Sequence, residues 1–303
     1  MTVLVLTRKD RIARKSRSEL LVFSGSSQRD YSLRDVTLVL VMGSSTQISA
    51  DVLTLLSSMN IPLVVSNKLG VSISSSSFVT VLSATRESQY KLSDEKKKRI
   101  SRIFIDSKLK GTANLLKYLK VSLPSFQESD DLLVYEANNS RMLWDALFKV
   151  LPDWVAKIGR KPRNPDPFNK ALTACYAVLY GLSTRALLSF GLDPGYGFMH
   201  KSRYSTALSF DYSEMFKPVA VHAVIRAIKK GLEMEGEELS RDSVRKVMEE
   251  LFSLLSRKQG NQSIYMSIFS RARTLSEVVR NGDSKAQISF VYDPRKLSKD
   301  RKK

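Results

Sequence analysis

The stretch SDEKKKRISRIFIDSKLKGTANLLKYLK, residues 93–120, is where the sequence changes from strand-like to helical patterning. Ser93 suits a helix N-cap, acidic residues follow it in the first turn, and apolar residues then recur at a helical spacing. Helical patterns follow one another from here to residue 282. The sequence therefore predicts an all-α domain over residues 93–290.

Three further helical patterns support this domain. In the first, apolar side chains recur at positions 168, 172, 175, 179, 182, 186 and 190. A second set falls at 244, 247, 251 and 254 or 255, and a third at 265, 268, 269, 272, 275 and 279. Asn281 followed by Gly282 predicts the end of the last of these helices.

Before residue 93, short apolar and β-branched runs alternate with turn-forming residues. We expect a β-rich domain of two packed sheets over residues 1–82, joined to the helical part by a linker at 83–92. The predicted fold class is α+β, with a small β-sandwich-like domain that contains one helix and then a larger all-α domain. The strand-like runs cover residues 2–7, 19–24, 36–43, 62–67 and 71–77, and the helical pattern covers 49–60 with Ser49 as N-cap.

The charge balance points to a polyanionic partner. The chain contains 49 Lys and Arg against 30 Asp and Glu, a formal net charge of +19. Residues 1–90 hold only 10 of the basic and 6 of the acidic residues, so most of the excess lies in the helical part. Nucleic acid is the commonest partner of such a field, and an anionic membrane surface is the main alternative. The short basic end, residues 291–303, is predicted to be disordered.

Other features limit the class of protein. The single cysteine, Cys175, excludes an internal disulfide, and its apolar neighbours predict a buried, inert thiol. The N-terminus lacks the pattern of a signal peptide, and we expect no membrane span. We therefore expect a cytoplasmic protein. The sequence contains no GxxxxGKS/T loop, which is the motif that would predict a nucleoside triphosphate site.

A histidine and two acids stand close together in GLDPGYGFMHKSRYSTALSFDYSEMFKP, residues 191–218. Asp211 and Glu214 share one face if a helix opens at residue 211, and His200 precedes them. Acids in a first helical turn also act as simple dipole partners, so a structural role stays open. Mixed imidazole and carboxylate ligands suit Mn²⁺, Mg²⁺ or Zn²⁺, but a complete site needs a further ligand from elsewhere.

Glu136 is a candidate for that further ligand. It lies beside an apolar helical stripe, where a solvated acid is the commoner role. The second histidine, His222, sits in an apolar helical stretch and is predicted to pack in the core. The stripe beside Glu136 is traced by Val134, Ala137, Arg141, Trp144 and Leu147 or Phe148.

The segment IGRKPRNPDPFNKAL, residues 158–172, is rich in proline and basic residues. Its three prolines predict an extended segment that leads into a helix. One interpretation is a rigid loop between helices, and another is an edge that contacts phosphate groups beside an active site. The basic side chains in question are Arg160, Lys161 and Arg163.

Together these stretches resemble the family of CRISPR-associated protein one, the integrase of CRISPR spacer acquisition. Three motifs carry the resemblance in the family's order, and it covers nearly the whole chain. The motifs are Glu136-Ala137 followed by Trp144, then GRKPRNPDPFN leading to Tyr176, and then GLDPGYGFMH followed by LSFDYSEMFKP.

The resemblance implies a set of functional residues. Glu136, His200 and Glu214 would bind Mg²⁺ or Mn²⁺, Asp211 would support them as a further catalytic acid, and Lys217 matches a catalytic basic position. Asparagines after Ala137, Leu143 in place of a common Tyr, and Lys217 in place of a commoner Arg depart from the family pattern without removing a ligand. The residues expected to contact DNA are Arg160, Lys161, Arg163, Asn169, Tyr176, Lys201 and Arg203.

The resemblance also implies a reaction and partners. A DNA 3′-hydroxyl would attack a phosphodiester of the CRISPR repeat, so that double-stranded spacer DNA is inserted. The chain would form a homodimer through its β-rich domain and assemble with the small second CRISPR adaptation protein. The alternative is a non-catalytic basic nucleic-acid-binding protein with a repair or architectural role.

Overall fold

The computed structural model of the chain describes residues 2–7, 9–42, 45–59, 61–67, 70–74, 83–162, 164–200, 206–282 and 287–298. Within these residues, a strand-rich N-terminal part precedes a mostly helical part, as the sequence predicts. The N-terminal elements are β1 (Thr2–Leu6), β2 (Arg11–Arg14), β3 (Glu19–Ser24), β4 (Ser27–Ser32), β5 (Val36–Met42), β6 (Gln47–Ile48), α1 (Ala50–Ser58), β7 (Leu63–Asn67) and β8 (Gly70–Ser74).

The strands form two four-stranded sheets. One has the order β1-β5-β7-β8, in which β1, β5 and β7 are parallel and β8 is antiparallel to β7. The other has the order β4-β3-β2-β6, in which only β6 runs parallel to its neighbour. The expectation of two packed sheets is therefore confirmed.

Strand β5 is buried on both faces because its sheet lies between two layers. Val39 and Val41 belong to the core between the two sheets. Leu38 and Leu40 point the other way and join the core of the helical part. This alternation follows from the period of two in a strand, and it joins the two parts through a continuous interior.

The helical part begins earlier than the sequence predicts. Helix α2 occupies most of the segment expected to be a linker, and its Gln89 donates hydrogen bonds to the carbonyls of Asp193 and Tyr196. The helices are α2 (Ser83–Tyr90), α3 (Asp94–Tyr118), α4 (Leu132–Phe148), α5 (Asp153–Ile158), α6 (Pro167–Ser189), α7 (Ala207–Ser213), α8 (Lys217–Ile228), α9 (Arg241–Ser256) and α10 (Ile264–Asn281). Two short hairpins, β9 (Met234–Glu235) with β10 (Glu238–Leu239) and β11 (Lys258–Gln259) with β12 (Gln262–Ser263), precede α9 and α10.

Helix α6 is the centre of the helical part. Asp166 caps it by accepting a hydrogen bond from Asn169 N, and Pro167 occupies its first turn. A Cβ at Gly181 would lie 2.5 Å from side-chain atoms of both Leu38 and Val64, so only glycine lets the helix approach the sheet this closely. Cys175 is fully buried here, and burial raises the pKa of its thiol.

One helix has the length and composition of a membrane span. Among the described helices, only α6 is long and apolar enough to cross a membrane. However, 78% of its most apolar window is buried inside the protein. Its apolar length is therefore explained by its position at the core of the fold.

The chain closes with an extended segment, residues 287–298, which we call the C-terminal strap. Ile288, Phe290 and Tyr292 are buried in alternation along it. The Tyr292 hydroxyl and His222 Nδ1 form a hydrogen bond, and Phe290 stacks on Phe216 with ring centroids 4.8 Å apart. The prediction of disorder is therefore wrong for residues 291–298, because aromatic side chains hold them to the helices. Residues 299–303 lie outside the described residues.

Candidate active site

The carboxylates of Glu136 and Glu214 meet although they come from distant parts of the chain. Their meeting point is the ammonium group of Lys108, which projects from α3. Lys108 Nζ contacts Glu136 Oε1 and lies 2.9 Å from Glu214 Oε2. Since one ammonium group touches both carboxylates, the two acids lie within reach of a single cation.

Helix α4 presents Glu136 at the edge of its buried face. Asp131 caps the helix by accepting hydrogen bonds from Leu133 N and Val134 N. Ser140, one turn after Glu136, donates a hydrogen bond of 2.9 Å to its Oε1. Glu136 is therefore held from its own helix as well as by Lys108.

The buried face of α4 differs from the predicted stripe. Val134, Ala137 and Arg141 are exposed, so the predicted stripe through them is wrong. The buried face includes Asn139, which exchanges hydrogen bonds of 2.8 Å with the backbone of Gln127. A buried asparagine is invisible to an apolar pattern, because its burial depends on a partner in another segment.

Glu214 lies where the chain changes from one helix to the next. No helix opens at residue 211: Asp211 lies inside α7, which ends at Ser213, and a 3₁₀ turn, Glu214–Phe216, leads into α8. Only 6% of the Glu214 side chain is exposed. Burial alone would raise its pKa, but the ammonium groups of Lys108 and Lys217 lower the pKa of Glu214 to about 2. The acid is therefore a buried carboxylate anion.

His200 and Asp211 form a second pair beside this cluster. His200 Nδ1 contacts Asp211 Oδ1, and this hydrogen bond raises the pKa of His200 against the lowering effect of burial. Glu214 also raises the pKa of His200 through its charge. Since Asp211 holds Nδ1, the other ring nitrogen of His200 is the one available to a ligand.

The backbone before His200 wraps around the Asp211 carboxylate. Phe198 N and Met199 N donate hydrogen bonds of 2.7 and 2.9 Å to its Oδ2. A Cβ at Gly197 would lie 2.5 Å from His200 O and 3.1 Å from Asp211 Oδ2, so the turn closes only around glycine. Asp211 thus positions the loop that carries His200.

A cavity of about 190 Å³ opens beside the two acids. Lys217 and Arg160 face its Tyr176 wall, with cationic groups 5.2 and 5.8 Å from the ring centroid. Burial raises the pKa of Tyr176, so its hydroxyl is protonated. The cavity combines the carboxylate of Glu136, which suits a cation, with basic groups, which suit a phosphate. Its lining includes Lys108, Glu136, Ser140, Trp144, Arg160, Tyr176 and Lys217.

The residues predicted to contact DNA have different positions in the structure. Lys161 is exposed and Arg160 reaches the cavity, whereas Arg163, Lys201 and Arg203 lie outside the described residues.

Asn169, which is predicted to contact DNA, lies inside the protein. Its side chain is fully buried, where it accepts hydrogen bonds from Arg160 Nη1 and Lys161 N and donates to Gly159 O and Asp166 Oδ2. Asn169 therefore shapes the basic loop from within.

The predicted metal ligands fit a divalent cation in chemistry but are only partly assembled. Within the described residues, no three His, Cys, Asp or Glu side chains are grouped closely enough to hold a metal ion. Glu136 and Glu214 do converge, and the buried Oε2 of Glu214 has the ammonium group of Lys108 as its partner, a position that a metal cation could take. Two carboxylates and an imidazole oriented by a third acid are suitable ligands for Mg²⁺ or Mn²⁺.

Lys108 is the functional residue that the sequence reasoning missed. It belongs to a helix with many lysines, so its type carries no signal. The position of Lys108 does carry a signal, because it continues a buried stripe at helical spacing. The stripe consists of Ser101, Phe104, Gly111 and Leu115. A lysine inside an apolar stripe indicates a buried charge that needs acidic partners.

Comparison with known proteins agrees with this architecture. The family model described as CRISPR associated protein Cas1 matches residues 4–250. A curated relative, CRISPR-associated endonuclease Cas1 2 of Saccharolobus solfataricus, is 30% identical over 276 residues, which cover 87% of this chain and 90% of the relative.

Solved structures share the fold. A casposase bound to integration product gives a TM-score of 0.81 at 19% identity and covers 95% of this chain and 93% of that chain. A Cas1 protein from Thermotoga maritima gives 0.79 at 18% identity, with 96% and 99% covered. A chain of a Cas6-RT-Cas1–Cas2 complex gives 0.77 at 18% identity and covers 97% of this chain but 36% of that longer one.

The chain thus has a two-part α+β architecture, and its acidic and basic side chains meet within the helical part. The matching family model and relatives place this architecture in the class of CRISPR-associated proteins. Within that class, the chain belongs to the Cas1 family, because the family model spans most of it and a relative aligns over nearly its whole length. The family resemblance drawn from the three motifs is thereby confirmed.

Proposed function

We propose that this protein is a divalent-metal-dependent DNA endonuclease and integrase that inserts new spacer DNA into a CRISPR array. The observation that carries the proposal is the convergence of Glu136 and Glu214 on one cation position beside a basic cavity. Relatives named as Cas1 endonucleases and the casposase bound to integration product support the same reaction class.

The reaction exchanges one phosphodiester for another. A DNA 3′-hydroxyl loses its proton as its oxygen forms a new bond to phosphorus. The bond from phosphorus to the displaced sugar oxygen breaks, and that oxygen takes up a proton. Bound Mg²⁺ or Mn²⁺ would polarise the phosphodiester and stabilise the oxygens that gain negative charge. No bond energy from a nucleoside triphosphate is needed, because one phosphodiester replaces another.

The side chains around the cavity would have different roles in the reaction. Glu136, Glu214 and His200 would hold the ion, with His200 oriented by Asp211. Lys217 contacts Glu214 and faces the cavity, where it can also balance the charge of a phosphate. Arg160 and Lys161 lie on the loop that would carry the DNA backbone past the site.

The proposal predicts loss of activity when either acid is neutralised. Glu136→Gln and Glu214→Gln should each lower DNA nicking and strand transfer by roughly 100-fold or more, because the bound ion supplies several kcal/mol to the transition state. Nicking of a supercoiled plasmid and joining of a labelled duplex, with Mg²⁺ or Mn²⁺, measure both activities. A wild-type protein that binds DNA but neither nicks nor joins it would instead be a non-catalytic binder.

Glu250→Gln is the matched control for these variants. Glu250 is also a buried acid paired with two basic residues, Arg226 at 2.6 Å and Lys230 at 2.7 Å. It lies outside the cavity lining. Its neutralisation should therefore affect stability and leave the reaction rate of the folded protein within a few-fold of wild type.

We further propose that the protein acts in the cytoplasm as a homodimer with Cas2 as its partner. The similarity of its fold to a chain of the Cas6-RT-Cas1–Cas2 complex supports this assembly, because Cas1 and Cas2 are both components of that complex. The β-rich part carries little of the net positive charge, which leaves it suitable as a protein–protein surface. The helical part would bind double-stranded DNA.

A further inference from the structure

Lys108 is a buried cation placed between two acids from separate elements. Only 16% of its side chain is exposed, and its stem lies in the apolar stripe of α3. Its ammonium contacts Glu136 of α4 and Glu214 of the 3₁₀ turn. Burial lowers the pKa of Lys108, but the two carboxylates outweigh this effect and raise it. The group is therefore charged.

The four charges of this cluster balance. Glu214 faces Lys217 through Oε1 and Lys108 through Oε2, and Glu136 faces Lys108. A cation between the two acids would share the carboxylate oxygens that Lys108 contacts. Two cations cannot occupy one position, and like charges a few ångströms apart repel strongly in a partly buried site.

We propose that Lys108 is the internal counter-cation of the Glu136–Glu214 pair, and that a divalent cation binds these acids only by displacing its ammonium group. This inference rests on the proposed function, since it concerns the same two acids. The lysine side chain has a flexible four-carbon stem, so its ammonium can move to the cavity wall without movement of α3. Lys108 then sets how tightly the ion is held, because each binding event must break both contacts.

The test measures Mn²⁺ affinity in the full-length protein without DNA. Lys108→Met keeps the apolar stem and removes the charge, so isothermal titration should show Mn²⁺ binding at least about tenfold tighter than wild type. Loss of a merely structural ion pair would loosen the site and weaken Mn²⁺ binding instead. Unchanged or weaker binding would therefore overturn the inference.

Thermal unfolding gives a second readout. Without Mn²⁺, Lys108→Met should melt below wild type, because two buried carboxylates lose their shared counter-cation. Saturating Mn²⁺ should raise the melting temperature of the variant more than that of wild type. If Lys108→Met does not fold without the ion, Lys108→Gln keeps a hydrogen-bond donor and takes its place. Failure of both variants to fold even with Mn²⁺ would show that an ion cannot replace the ammonium group.

Two controls separate this inference from the proposed function. Lys110→Met removes an exposed lysine from the same helix and should leave Mn²⁺ affinity unchanged. The double variant Glu136→Gln, Glu214→Gln should abolish tight Mn²⁺ binding. If wild type shows no binding that depends on these acids, the metal site itself fails. If it does, and Lys108→Met binds no tighter, only the role of Lys108 fails.

Discussion

The two histidines of this chain occupy opposite electrostatic environments. His200 is part-exposed and bonded to Asp211, which raises its pKa above 6.5. His222 is buried against Tyr292, and burial, followed by nearby basic residues, lowers its pKa to about 3. One therefore favours its charged form in the folded protein and the other its neutral form.

The stabilities that the two histidines confer should change with pH in opposite directions. A histidine whose pKa is raised by folding stabilises the fold fully when the pH is below its unfolded pKa of 6.5. This contribution is lost as the pH rises through the pKa of the folded state. The penalty for His200→Gln in metal-free buffer should thus be larger at pH 5.5 than at pH 9, values chosen to bracket a histidine titration. Urea unfolding of wild type and variant at both values measures it.

His222→Gln provides the opposite case. A lowered pKa gives a contribution that is complete above 6.5 and is lost as the pH falls toward about 3. The penalty for this variant should therefore shrink on acidification in the same urea series. A His200→Gln penalty that grew with pH would contradict the charged His200–Asp211 pair.

At the scale of elements, the N-cap of α4 supports the position of Glu136. Asp131→Ala removes the acceptor of two backbone hydrogen bonds in the first turn and should lower the free energy of unfolding by about 1 kcal/mol. Asp130→Ala removes a neighbouring exposed acid with the same charge and should change it by less than about 0.5 kcal/mol. Equal losses in urea unfolding would assign the effect to charge rather than to capping.

Elements were predictable from the sequence where one local pattern decides them. Ser93 caps α3, Gly282 ends α10, and the alternating strands form two sheets. The burial of Glu214 was not predictable, because it depends on ion pairs with Lys108 of a distant helix and with Lys217. The resemblance likewise implied that Glu136, His200 and Glu214 act together. The stripe of α3 indicates that Lys108 is buried, but a single sequence does not show which acids it contacts.

At the scale of the whole molecule, the effect of a basic residue on DNA affinity should depend on which part of the molecule carries it. Lys157 and Lys161 are exposed near the cavity loop, whereas Arg17 and Arg34 are exposed on the β-rich part. Lys157→Ala with Lys161→Ala should lower the slope of log affinity against log salt for duplex DNA by roughly two, since about one counterion is released per neutralised phosphate. Fluorescence anisotropy over a salt series measures that slope.

Arg17→Ala with Arg34→Ala is the matched control, because it removes the same charge from the other part of the molecule. This pair should leave the slope nearly unchanged. Equal losses for the two pairs would mean that DNA contacts extend over both parts.

The C-terminal strap completes the packing around Glu214 late in synthesis on the ribosome. Phe290 stacks on Phe216, which lies in the same 3₁₀ turn as Glu214, and Tyr292 anchors the strap to α8 through His222. The turn that carries Glu214 thus gains its contact with Phe290 only after synthesis has passed that residue. A chain that ends within α10 would have every proposed ligand but would lack the aromatic contact that packs the turn of Glu214, so we expect it to hold the proposed metal site less firmly.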